Sequence, residues 1–136
     1  MRMKFTVLII VVVCAVVLAG CQTVFPLTNA ITVPGATGEV KLKTDDNSNT
    51  IVSISVKHLA HPEKLSPAKS VYVVWAESSD GKAMNLGQLI VNDDLEGSLT
   101  GTTAFHYFRI IITAEDEPTV TLPGTEIVLS TDRLKP

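Results

Sequence analysis

The sequence predicts an all-β fold: an immunoglobulin-like antiparallel sandwich of about seven strands, following an N-terminal signal peptide. Three observations predict it. Short runs rich in β-branched residues alternate with period two from Glu39 onward. Clusters of Asn, Asp, Gly and Pro separate them at near-regular intervals. No segment carries a helical period of adequate length. The expected organisation is a signal peptide over 1–20, a tether beginning at Cys21 over 21–37, and a sandwich domain over 38–136.

Arg2 and Lys4 form a short positive segment, and Phe5 to Ala19 is an apolar run interrupted in polarity only by Thr6 and Cys14. Fifteen residues at ~1.5 Å rise span ~22 Å as a helix, less than the ~30 Å hydrocarbon core of a bilayer. The run therefore reads as a signal-peptide core rather than a mature membrane span. It closes on Leu18-Ala19-Gly20-Cys21. That tetrapeptide resembles the lipobox of bacterial lipoproteins. The resemblance implies a diacylglyceryl thioether on Cys21, cleavage before it, and acylation of the new amino terminus. Cys14 leaves with the leader, so the mature domain has no free thiol and no disulfide to help it fold. Gln22 stands where an Asp would mark inner-membrane retention, which favours the outer membrane if the organism has one. Phe25-Pro26, Val33-Pro34-Gly35 and Gly38 then predict a tether able to reach ~45–50 Å when extended.

In the domain, Glu39 to Lys43 alternates as a half-buried strand, and Asp45 to Asn49 is a turn cluster. Ile51 to Lys57 alternates again. Leu59 to Lys69 reads as a loop with two prolines. Ser70 to Gly87 reads as the central hairpin: Val71 to Trp75 is a buried strand holding the only Trp, and Ser79-Asp80-Gly81 is the turn. Trp75 is expected in the core or over its edge. Met84 to Val91 follows, with Gly87 marking a bulge or a close backbone approach. Gly97 to Thr103 is a weak strand. Phe105 to Thr113 is the strongest, with Phe108, Ile110 and Ile112 on one face. Thr125 to Ser130 is the last.

Charge narrows the function. The chain carries 11 basic and 14 acidic residues; less Arg2 and Lys4, nine basic residues remain and the formal charge is −5. That balance argues against nucleic acid, which is bound through clustered Lys and Arg. It also argues against adhesion to anionic lipid by charge alone.

Tyr72-Val73-Val74-Trp75, the Asp80-Gly81 turn, Leu86-Gly87, Phe108 to Thr113 with Glu115, then Pro118 and Pro123 form a pattern over the last seventy residues or so. It resembles the extracytoplasmic C-terminal domain of anti-sigma-K-type factors. The resemblance implies a sandwich outside the cytoplasm. It does not imply sigma-factor binding, because the cytoplasmic domain and membrane helix of the signalling members are replaced here by the leader.

Candidate chemistry is sparse. Asp45, Asn47 and Asn49 alternate as in a calcium loop, but Thr50 stands where that loop needs Gly and Val56 where it needs Glu. Gly97-Ser98-Leu99-Thr100-Gly101 misplaces the Ser of a nucleophile elbow. If successive strands cross the domain, the loops at His61, Asp93 and Glu115 share one end. The candidate cation ligands there are His61, Glu63, Asp93, Asp94, Glu115 and Asp116, with Glu117 beside them. No cofactor and no catalysis are expected. The expected function is a lipid-anchored, extracytoplasmic binding or scaffolding module of the bacterial envelope, with another envelope protein as partner. The alternative is a divalent-cation-binding envelope lipoprotein that uses the acidic end.

Overall fold

The computed structural model describes residues 23–29 and 32–136. The signal peptide and Cys21 lie outside the described residues. The expected all-β antiparallel architecture is what forms. Among the described residues eight strands are present: β1 Val24–Asn29, β2 Thr37–Thr44, β3 Thr50–Lys57, β4 Val71–Ser78, β5 Ala83–Leu89, β6 Gly97–Thr103, β7 Phe108–Glu115 and β8 Ile127–Ser130. They make one antiparallel sheet in the order β5-β4-β7-β8-β1-β2-β3-β6. The sheet folds over on itself in a sandwich-like way. One half is β2, β3 and β6; the other is β5, β4, β7 and β8.

β1 joins the halves. Val24 to Leu27 pair with β2, and Thr28 and Asn29 pair with β8. This strand falls within the stretch expected to be tether, and that expectation is corrected for Val24–Asn29. Pro26 was the misleading signal. It sits where β1 pairs only with β2, before the pairing with β8 begins. A missing N–H is tolerated at such an edge position. Further on, Val33 and Ala36 are also buried.

The core lies between the halves. Val40, Leu42, Val52, Ile54 and Val56 come from β2 and β3; Tyr72, Val74, Ala76, Phe108, Ile110 and Ile112 come from β4 and β7. These are the alternate residues of each strand, as the pleat requires. The other parity of β4 and β7 points outward, yet Val73, Trp75 and Ile111 are just as buried. Trp75 therefore belongs to a second, outer cluster, covered by the β7–β8 link with Val120 and flanked by Val71, Ala83 and Ile127. Glu77 and Arg109 are directly paired on that face and form an ion pair at 2.9 Å.

The hairpin β4–β5 lies at one end of the strand order, not at its centre. Its turn needs Gly81 at φ +82. The register shifts between Val74, opposite Gly87, and Trp75, opposite Asn85, so Leu86 is the extra residue of a bulge. Gly87 holds φ +130 there. The free edge of β5 then lies against that of β6: a side chain on Gly87 would stand 3.6 Å from Leu99, and one on Gly101 would stand 3.1 Å from Leu86.

The strands define two ends. The short connections 45–49, 79–82 and 104–107 and the C-terminal residues form the turn end, where Leu134 bridges to Phe108. The longer connections 58–70, 90–96 and 116–126 form the link end. β1 runs from the turn end toward the link end, antiparallel to β2 and β8.

Candidate functional site

The three links share an end because the ladder puts them there. Val56 pairs with Gly97, Tyr72 with Leu89, and Val71 with Glu115. Each link is internally tied. Asn92 organises 90–96: its Oδ1 accepts the N–H of Asp94 and of Glu96, both at 3.0 Å, and its own N–H donates to the Glu96 carbonyl at 2.8 Å. Leu95 takes φ +61 to complete that turn, and its carbonyl accepts the Leu59 N–H at 3.1 Å, so the first two links are stitched together. In 58–70 a short 3-10 turn, Pro62–Lys64, follows His61 and buries Pro62. Tyr72 Oη donates to the Ala60 carbonyl at 2.7 Å. Burial, with Glu63 nearby, pushes the Tyr72 hydroxyl up to about 12.

That shift fixes a pH dependence. The folded state holds the Tyr72 proton more tightly than the unfolded chain, where tyrosine titrates near ~10. Its contribution to stability is intact below that pH and is lost as pH rises through about 12. Tyr72→Phe should cost about 1 kcal/mol at neutral pH through the lost hydrogen bond. It should also remove the part of the alkaline loss of stability between those two values. Denaturant melts of both proteins from neutral to alkaline pH check this.

The acidic residues do not act as one group. Asp93 and Asp94 are exposed at the tip of their turn, and Glu63 is exposed in the first turn of the 3-10 segment. His61 is half-buried in the wall of a shallow depression. Asp116 pairs with Lys69 at 3.2 Å. Glu115 lies buried beneath the 116–126 link, and its place as an exposed ligand is corrected. Trp75 Nε1 donates to Thr113 Oγ1 at 2.9 Å, Thr113 Oγ1 donates to Glu115 Oε1 at 2.6 Å, and the same oxygen accepts the Gly124 N–H at 2.7 Å. The carboxylate is thus the clasp of the 116–126 link. Asn85 Nδ2 fastens the same link from β5, donating to the carbonyls of Pro118 and Val120 at 3.0 Å each. Strand parity carries this signal: Ile111, Thr113 and Glu115 share the outward face, whereas Asp116 and Glu117 lie past the strand. Among the described residues no three His, Cys, Asp or Glu side chains gather closely enough to hold a metal ion.

The Asp45–Asn49 cluster is a closed turn. Asp45 Oδ1 accepts the N–H of Asn47 at 2.8 Å and of Asn49 at 2.9 Å. Those bonds, that of Asn49 first, hold its carboxyl below the usual carboxylate range.

What the link end does present is Ile90. It is 71% exposed. It lies between two shallow depressions, one of about 330 Å³ bounded by Lys57, Asn92 and Ser98, the other of about 160 Å³ bounded by His61, Glu63 and Gln88. Leu95 is partly exposed nearby, in the turn that follows. Composition gave no warning of this feature. An apolar residue just past a strand reads as more strand, as Ile90 did.

Comparison with known proteins gives no matching family model, no similar curated protein and no similar solved structure.

Proposed function

We propose that the chain is a lipid-anchored, extracytoplasmic binding or scaffolding module of the bacterial envelope, non-catalytic, with another envelope protein as its partner. The observation that carries this is the order Arg2 and Lys4, apolar run, Leu18-Ala19-Gly20-Cys21, followed within three residues by strand β1. A leader of that pattern delivers a lipid to Cys21 and leaves the sheet outside the cytoplasm. Two acyl chains or more make a stable anchor where one would be marginal. The binding role is supported by the stitched links of one end, which hold the exposed Ile90 on a stiff frame. Apolar side chains displayed by ordered loops suit protein contacts. The likeness to the outer domains of anti-sigma-K-type factors supports the same location. The residues that carry it fall largely on β5, β4 and β7, which are neighbours in the sheet.

Metabolic labelling with an alkyne fatty acid tests the reading. The wild-type chain should take up label and fractionate with membranes. Cys21→Ser should lose the label altogether and leave the membrane fraction. Equal labelling of both, or none of either, would overturn the reading. Crosslinking in the labelled strain should capture an envelope partner with the wild-type chain, and Ile90→Asp should abolish that capture while leaving the label in place.

A further inference from the structure

The strand at the start of the described chain sets how an anchored domain would stand on its membrane. We propose that the lipid on Cys21 seats the domain directly on the phospholipid surface by its turn end, holding the link end and Ile90 outward. This rests on the lipidation of Cys21 proposed above.

Chain length is the first argument. Three residue steps separate Cys21 from Val24, a reach of at most about 10 Å. Val24 pairs with Lys41, three residues from the end of β2 at Thr44 and four from its start at Thr37. At ~3.3 Å per residue the turn-end limit of β2 is then ~10 Å away and its link-end limit ~13 Å, before the loops of either end are added. The leash can just reach the first and falls short of the second. Its direction agrees, because β1 enters the sheet from the turn-end side. A fifteen-residue tether would have left the domain free to tumble; with Val24–Asn29 built into the sheet, that freedom is gone.

Charge is the second argument. At the turn end Asp45, Asp46, Asp80 and Asp132 stand against Lys43, Lys82, Arg133 and Lys135, which is neutral overall. At the link end Glu63, Asp93, Asp94, Glu96, Asp116 and Glu117 outnumber Lys57, Lys64 and Lys69. An anionic leaflet repels the second and tolerates the first. The turn end also carries Tyr107, which is 53% exposed with the Arg133 guanidinium 5.9 Å from its ring centre. An aromatic ring with a cation beside it is the pairing that suits the headgroup layer.

The consequence is functional: the partner meets the acidic, Ile90-bearing end at the full height of the domain, away from the bilayer. Quenching in proteoliposomes tests the orientation. With Cys14 removed and Cys21 acylated, a single introduced Cys is the only thiol. Bimane would be placed at Ser79→Cys or Asn47→Cys on the turn end and at Asp93→Cys on the link end, all exposed positions. The full-length protein, expressed and processed, is reconstituted into phosphatidylethanolamine–phosphatidylglycerol vesicles with a headgroup nitroxide lipid. The mass of the Cys21 peptide is read from the same samples. Quenching several-fold stronger at positions 79 and 47 than at 93 is the expected result. Equal quenching at both ends with the lipid present would overturn the orientation alone, and so would stronger quenching at 93. Absence of the lipid mass would overturn both this inference and the reading it rests on.

Discussion

Trp75→Ala should lower the stability of the domain by about 3–5 kcal/mol, the usual cost of removing a buried Trp. The indole is fully buried, but not in the main core. It fills the outer cluster with Val73 and Ile111 beneath the 116–126 link. Losing it opens a cavity on that face and removes the donor to Thr113. A folded domain has only about 5–15 kcal/mol in hand, and no Cys stands among the described residues to brace this one with a disulfide. The variant should therefore sit close to unfolding at growth temperature. Trp75→Phe keeps most of the apolar area and should cost about 1–2 kcal/mol. Urea melts of the three proteins check this, and a cost below about 1 kcal/mol for the Ala variant would mean that the outer cluster is not structural.

Glu115→Ala should cost about 3 kcal/mol by a different route. Two donors then lose their acceptor in a largely buried place: the Thr113 hydroxyl and the Gly124 N–H. The damage should be local as well as global. With its clasp gone, the 116–126 link is held by the Asn85 ties, the Lys69–Asp116 pair, the Ala114 N–H bond to the Glu126 carbonyl and the packing of Val120. Limited proteolysis should then cut between 116 and 126 well before the sheet unfolds. Glu115→Gln retains an acceptor oxygen and should cost about 1 kcal/mol without early cleavage. Hydrogen exchange at the Gly124 amide separates these outcomes. Unchanged protection in the Ala variant would remove Glu115 from the role of clasp.

These two residues also show what the sequence could and could not say. Strands β2 and β3 were legible because their alternation is strict and the turn between them is rich in Asx residues, and β7 because of its β-branched run Ile110-Ile111-Ile112. The grouping of three links at one end followed from antiparallel crossing alone. Trp75 was legible as buried, but its face was not. Val71 to Ala76 is apolar at every position, so parity in β4 cannot tell inside from outside when both sides are covered. Only the link folding over β4 and β7 makes the outward side a second interior. Glu115 was misread for a related reason. The run Glu115-Asp116-Glu117 looks like one acidic tip, yet the strand ends inside it. The first carboxylate belongs to the sheet face and the others to the link. β1 was hidden by Pro26, which is tolerated because at that position the strand pairs with β2 alone. Under the proposed lipidation of Cys21, that single misreading is the difference between a domain on a long tether and one set close against its anchor.

The account turns on what happens at Cys21, and mass spectrometry of the N-terminal peptide of the membrane-extracted protein tests it most directly. The expected result is a mature chain that begins at Cys21, carries a diacylglyceryl thioether there, and has lost Met1 to Gly20. A peptide that retains the leader, or one that begins elsewhere with a free Cys21 thiol, would contradict it.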